Sequence, residues 1–302
     1  MHNRFLGIRP PDGAGHPQKG RGKLKRPVQA KNNSNRNSSG GKKREDLDPS
    51  GSALKGLPGV FETLLRRFKL AVHLLTLIPF YGLGCVAVGT AIIPGIVLFS
   101  KVREFTQTAP TFIQYFSTGI ALAFGFFLYG LSSIVILPTL NFLLRTSLKP
   151  WRGPYFSFPT VKWYIHNGLT YILRYTFLPF ITPSPLNHVF YRGMGMKIGK
   201  GSFINTEFIS DPSLIEVGEK VTIGGSVTII AHYGTGGYLI FSPVKIGNGV
   251  TIGIRATIMA GVTIGENARV LPNSVVLPNT QIPAGETWAG VPAQKVESSS
   301  SR

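Results

Sequence analysis

The feature that most limits how this chain can fold is a step of six residues. Aliphatic side chains or tryptophan stand at Val217, Ile223 and Ile229, then at Ile246, Ile252, Ile258, Ile264, Val270, Val276, Ile282 and Trp288. Such a period suits neither an amphipathic helix, whose apolar stripe returns every third or fourth residue, nor a long strand that alternates. It suits a short strand followed by a corner, repeated. Gly or a small residue commonly follows the aliphatic one, as in IGGSVT, IGNGVT, IGIRAT and IGENAR, and tight corners favour Gly, Asn and Pro. The spacing predicts a parallel β-helix with three faces per coil, whose strands satisfy their backbone groups by stacking on the coils above and below. Ile198 and Ile204 form an opening coil slipped in register by the irregular ISDPSLI, and PAGETWAGVPAQKV closes the stack.

The rest of the chain is of other kinds. Its formal net charge is +19, yet it is 43% hydrophobic and only 15% charged, so charge and apolar surface must occupy different segments. Residues 1–57 are rich in Lys, Arg, Gly, Pro, Asn and Ser and cannot bury enough apolar surface to offset their ordering entropy, which predicts a disordered basic tail. Its cations are not interleaved with stacking aromatics, so the expected partner is an anionic lipid surface rather than nucleic acid. No apolar h-region follows the start, and no cleaved export signal is expected. The single cysteine, Cys85, leaves no disulfide framework and no structural zinc site built on cysteines.

Residues 58–150 predict a transmembrane hairpin. Neither Leu70–Ser100 nor Phe105–Leu144 holds an Asp, Glu, Lys or Arg, giving spans over about residues 70–98 and 113–142, each longer than the roughly 20 helical residues that cross a bilayer. Two buried helices of a soluble core are the competing reading. Pro79, Pro94 and Pro138 are expected to kink or bound the helices, and Gly82, Gly84, Gly89, Gly125 and Gly130 to allow close contact. His73 falls at an interface. Arg66, Arg67 and Lys69 precede the first span and Arg145, Lys149 and Arg152 follow the second, which puts both termini in the cytoplasm by the positive-inside rule. Residues 151–196 are dense in aromatics, and Val161, Ile165, Leu169, Ile172, Leu173 and Thr176 recur at helical spacing with Lys162, His166, Asn167 and Arg174 elsewhere on the wheel. That predicts an amphipathic linker helix lying in the membrane interface, packed on the next domain, or both.

Between Val217 and Val296, the stretches VTIGGSVTIIAH and VKIGNGVTIGIRATIMAGVTIGENARVLPNSVVLPNTQIPAGETWAGVPAQKV resemble the left-handed β-helix acyltransferases. This is the hexapeptide-repeat family that includes galactoside, maltose and serine acetyltransferases. The membrane hairpin, the aromatic segment and FYRGMGMKIGKG are also similar to the terminal membrane-associated region of epsilon-poly-lysine synthetase-like proteins. The resemblance implies that residues 197–302 form a left-handed β-helix acyltransferase domain that assembles as a homotrimer, takes acyl-CoA, chiefly acetyl-CoA, as donor, and needs no metal.

The six-residue phase breaks once in mid-repeat: Ile229 and Ile246 are seventeen residues apart, so a loop, IAHYGTGGYLIFSPVK, projects there, with His232 as its first polar residue. In the family a histidine at this kind of interruption is the general base, which imidazole suits because it titrates near neutrality. The resemblance likewise sets Gly253, Ile254 and Arg255 along the pantetheine arm of CoA, in a groove between subunits, and Pro272, Asn273 and Lys295 nearer its nucleotide. Two departures are Thr251, where some relatives carry Trp, and Gln294, where the terminal motif has Lys. Tyr233 and Tyr238 are expected to pack. The predicted function is transfer of an acyl group to a hydroxyl or amine of a membrane-linked acceptor. The alternative is a non-catalytic scaffold of a membrane biosynthetic complex. A carbonic anhydrase would need three His ligands, and the repeat holds His232 alone. A nucleotidyltransferase would need an α/β domain with a phosphate loop.

Overall fold

The computed structural model describes residues 55–297. The expected basic tail lies almost wholly outside the described residues, as do the side chains of Arg66, Lys69 and His73.

Helix α1 (Leu57–Arg67) leads into α2 (Lys69–Thr106), which a short turn joins to α3 (Thr111–Leu143). Two stretches are long and apolar enough to cross a membrane, Leu77–Thr106 and Thr111–Leu143. Pro79, Pro94 and Pro138 all sit inside helices that continue past them. The close approach of the pair is made at Gly95 and Gly125: a Cβ on Gly95 would stand 3.1 Å from the Cα of Gly125. Gly82, Gly84 and Gly89 face open space instead, so the contact expected of them is not theirs. Gly130 makes room for the ring of Phe177.

Past residue 197 the six-residue step becomes three stacked sheets of five, six and four strands. The parallel registers carry the repeat residues directly onto one another: Val217 on Ile246 and Ile246 on Ile264, Ile223 on Ile252, Ile229 on Ile258. Ile198 pairs with Val217 and Ile204 with Ile223, so KIGKGSFI is indeed the opening coil. The inward Ile and Val are almost wholly buried, from Ile223 and Ile229 to Ile282. The end is covered by Ala293–Lys295, which turns back antiparallel on Thr287–Gly290.

Residues 151–196 hold a short strand (Trp151–Pro154) and three helices, α4 (Phe158–Thr176), α5 (Leu178–Ile181) and α6 (Pro185–Gly193). α4 packs on the next domain, one of the two readings the sequence offers, while the solvated polar side expected of an interfacial helix is corrected. His166, Asn167 and Arg174, set off the apolar stripe by the wheel, are buried at 5% exposure or less, as is Thr170. They face the β-helix, where Arg174 donates to the carbonyl of Ile209 and Asn167 to Asp211. The opposite side, with Val161 and Ile165, meets Leu77, Phe80 and Leu83 of α2. Nor does α4 stand apart from the hairpin. His166 bonds Asn141 and Thr176 bonds Tyr129, so α4 runs antiparallel along the second half of α3. A helix wheel read as water against lipid is here β-helix against membrane-type helix.

Candidate active site

The phase break is a β-hairpin rather than a loop. His232–Thr235 pairs antiparallel with Tyr238–Phe241, and Trp151–Pro154 adds a third strand on the far side. Gly236 and Gly237 form its tip with φ of 56° and 82°, the doubly left-handed turn that joins two strands and that Gly adopts without strain. The hairpin leaves the prism at one corner, after Ile230, and rejoins it at Ser242, whose N–H donates to the carbonyl of Ala231. Tyr233 accepts a hydrogen bond from Asn279, and Tyr238 lies under the Arg152 guanidinium at 5.5 Å, so both tyrosines pack.

His232 does not stand alone. Its Nδ1 is 2.6 Å from Oδ2 of Asp211, a fully buried carboxylate. Asp211 belongs to the irregular ISDPSLI, one coil away. Ser210 is in register with Ile230, so the residues that follow each of them, Asp211 and the Ala231–His232 pair, meet where both strands end. Asp211 takes a left-handed backbone, φ 60° and ψ 51°, which a short polar side chain tolerates.

Every acceptor position of this carboxylate is used. Oδ2 also takes the N–H of Ala231 at 3.1 Å, while Oδ1 takes Trp163 Nε1 at 3.0 Å and Asn167 Nδ2 at 2.7 Å, both from α4. Burial opposes ionisation of Asp211, but the hydrogen bonds from His232 and Asn167 and the nearby imidazoles outweigh it and hold the pKa below the ordinary value. An ionised Asp211 accepts only, so His232 donates from Nδ1, and in the neutral form of the ring the lone pair is on Nε2. The His232 side chain is 21% exposed, and the Trp163 indole packs edge-on against its ring at 4.8 Å.

A second imidazole, this one fully buried, lies behind the first. His166 Nδ1–H donates to Asn141 Oδ1 at 2.7 Å and its Nε2 accepts from the Ser213 hydroxyl at 3.4 Å, and Thr146 also donates to Asn141. Burial pushes the His166 pKa down to about 4, against the pull of the Asp211 carboxylate, so this ring is neutral. The polar chain thus runs from the end of α3 through α4 to His232.

The residues carried over as a CoA site fall in two places. Gly253, Ile254 and Arg255 share a corner with Pro272 and Asn273, stacked through the Asn273 N–H and the Ile254 carbonyl. A Cβ on Gly253 would strike the backbone of Pro272, so this glycine serves coil stacking. Ile254 is 53% exposed, and Arg255 is exposed. That corner follows the strand Thr251–Ile252, whereas the His232 hairpin springs from the corner after Thr228–Ile230; within one chain they are not brought together. Lys295 sits on the closing strand, ion-paired with Glu286, whose pKa it lowers. Among the described residues no group of three or more His, Cys, Asp or Glu is arranged to hold a metal.

Asp211, Asn167 and Trp163 are the site residues that reading the hexads missed. The available signal was that the repeat breaks twice on the same face, once at ISDPSLI and once at the hairpin.

Residues 243–282 match the family described as "Bacterial transferase hexapeptide (six repeats)". The chain is 35% identical over 128 residues to the putative acetyltransferase YvoF of Bacillus subtilis, covering 40% of this chain and 69% of that one. It is 24% identical over 218 residues to the delta-poly-L-ornithine synthetase of Acinetobacter baumannii, covering 69% of this chain but 16% of the synthetase. It is 35% identical over 106 residues to the mitochondrial gamma carbonic anhydrase 2 of Arabidopsis thaliana, covering 34% of this chain and 37% of the anhydrase. The chain therefore spans only a minor part of the length of the latter two.

Proposed function

The chain belongs to the hexapeptide-repeat transferase family, and from that membership we propose that it transfers an acyl group, chiefly acetyl, from acyl-CoA to a hydroxyl or amine, with His232 as general base. The observation that carries this reading is the His232–Asp211 pair at 2.6 Å, set where the repeat is interrupted. Nε2 of His232 takes the proton of the acceptor as its oxygen or nitrogen attacks the thioester carbonyl. The resulting imidazolium is stabilised by the Asp211 carboxylate, and it returns the proton to the departing CoA thiolate as the C–S bond breaks. Ile254 offers apolar surface to a pantetheine arm and Arg255 a cation to a phosphate. Because that corner and the hairpin lie apart within one chain, the reading includes a homotrimer in which a neighbour's corner completes the site. The anhydrase likeness has the same identity as the acetyltransferase one but covers less of both chains, and a three-histidine zinc site needs ligands that the coils, with His232 alone, do not carry.

The same reading places α2 and α3 across a membrane with both ends in the cytoplasm and the acceptor membrane-linked. Its support is the apolar surface of the two helices and the exposed Arg145, Lys149 and Arg152 at one end, against Lys101 neutralised by Glu104 at 2.9 Å at the other. Detergent-solubilised protein and its His232→Ala variant, incubated with labelled acetyl-CoA and a membrane extract, test the whole. Transfer is expected to fall roughly a hundred- to ten-thousand-fold in the variant. Equal transfer by both proteins removes His232 as the base, and wild-type protein that neither binds CoA nor transfers is a scaffold.

A further inference from the structure

Where the last turn of α3 meets the start of α4, a cavity of about 620 Å³ opens beside Trp151. Ligand sites commonly measure about 300–1,000 Å³. Phe142, Leu148, Trp151 and Phe158 make its wall apolar, Arg145, Lys149 and Lys162 bring three cations to it, and no acidic side chain lines it. Among the described residues none of those three cationic groups has an ion-pair partner. Apolar wall and uncompensated positive charge in one cavity suit an amphiphile with an anionic head.

Position decides between a soluble anion and a lipid. The 33 residues of α3, at about 1.5 Å each, make about 50 Å of helix, longer than a hydrocarbon core of about 30 Å and reaching into a headgroup layer. Phe142 and Leu143 are 77% and 66% exposed, so apolar surface runs up to the cationic turn at Arg145. We propose that this cavity binds the phosphate-bearing headgroup of an anionic membrane lipid, with Arg145, Lys149 and Lys162 on the phosphate and Phe142 and Phe158 beside the acyl chains. The inference rests on the membrane reading above and not on acyl transfer. Phe241, also in the wall, is the cross-strand partner of His232, and the Trp163 ring lies against both. A bound headgroup is therefore one aromatic layer from the His232–Asp211 pair, as a membrane-linked acceptor requires.

The test uses the full chain in neutral detergent, titrated with phosphatidic acid or phosphatidylcholine bearing the same brominated acyl chains, with tryptophan quenching as the readout. Trp151 reports from the cavity wall. Phosphatidic acid is expected to quench at concentrations roughly tenfold or more below phosphatidylcholine, and the triple variant Arg145→Asn, Lys149→Gln, Lys162→Gln to lose that preference. All three side chains are exposed, and Lys162→Gln alone, which disturbs the fold least, is expected to lose part of it. Equal quenching by the two lipids, or a preference that survives in the triple variant, overturns the proposal. So does displacement of the brominated lipid by millimolar inorganic phosphate, which would make this a soluble-anion site. Alkaline extraction of membranes separates the two readings: release of the chain overturns its insertion, whereas retention without lipid preference overturns only the cavity. No arm needs acyl-CoA or turnover.

Discussion

The coils from Val244 to Ile282 keep the six-residue step without a break, whereas the segment from Ile209 to Phe241 interrupts it twice and adds a buried polar cluster to its apolar column. In the first, Ile246, Ile252, Ile258, Ile264, Val270, Val276 and Ile282 form an apolar column exposed by 3% or less. In the second, a carboxylate at 0% exposure sits between two imidazoles and receives bonds from Trp163 and Asn167 of a helix outside the prism. The column is held by many equivalent contacts, so its energy is spread along the stack. The polar cluster is held by a few directed bonds, each of which sets the angle or protonation of another group. On the proposed acyl-transfer reading, stability and reactivity are lodged in different coils, and substitutions are expected to separate them.

The largest separation is expected at Asp211. Asp211→Asn keeps the volume of the side chain but no longer fixes the proton on Nδ1 of His232. The transfer rate of the folded protein is expected to fall by roughly a thousand- to ten-thousand-fold, with KM for acyl-CoA little changed, and because one oxygen that accepts buried N–H groups becomes an NH2, stability is expected to fall by about 1–3 kcal/mol. A kcat near wild type in steady-state assays would mean that the His232–Asp211 bond has no part in the reaction.

In the regular coils the expectation reverses. Ile258 is wholly buried and stacked between Ile229 and Val276. Ile258→Ala is expected to cost about 2–5 kcal/mol in urea unfolding, the range for truncating a well-packed aliphatic, while the folded fraction keeps its kcat. A loss of kcat without loss of stability would show that the two regions are not separable.

The unequal legibility of the two regions has the same origin. The column could be read from spacing, because each Ile must stack on its counterpart one coil away and any drift in the step would break all registers together. The hairpin at His232 was marked by the interruption it makes. Asp211 lies in a second interruption, but its contact with His232 is made by stacking and not by chain proximity, so an aspartate in an irregular turn resembles any other turn aspartate. A helical wheel records polarity alone, so it sets His166, Asn167 and Arg174 off the apolar stripe of α4 without naming what they face; their partners, Asn141, Asp211 and Ile209, come from three other segments. Gly95 and Gly125 show the same limit, since composition marks several glycines and only packing picks the pair that touches.

His166 offers a smaller and graded way to probe the polar region. Its native pKa is pushed down to about 4 by burial, against an ordinary 6.5, with Asp211 as the charged group that faces it. Between those values the unfolded chain binds a proton that the native one refuses, so stability rises with pH across the window and falls as pH drops from 6.5 towards 4. The full loss is on the order of 3 kcal/mol. Asp211 adds its own loss only at lower pH, because its depressed pKa keeps the native carboxylate ionised below the unfolded value of 3.8. Urea midpoints taken at closely spaced pH should therefore decline first through the histidine window. His166→Asn should flatten that decline while sparing the steeper one below it. If the variant loses stability along the wild-type curve, the acid sensitivity arises elsewhere. If both declines vanish together, His166 and Asp211 titrate as one unit, and the polar chain from α3 to His232 is tighter than its separate hydrogen bonds imply.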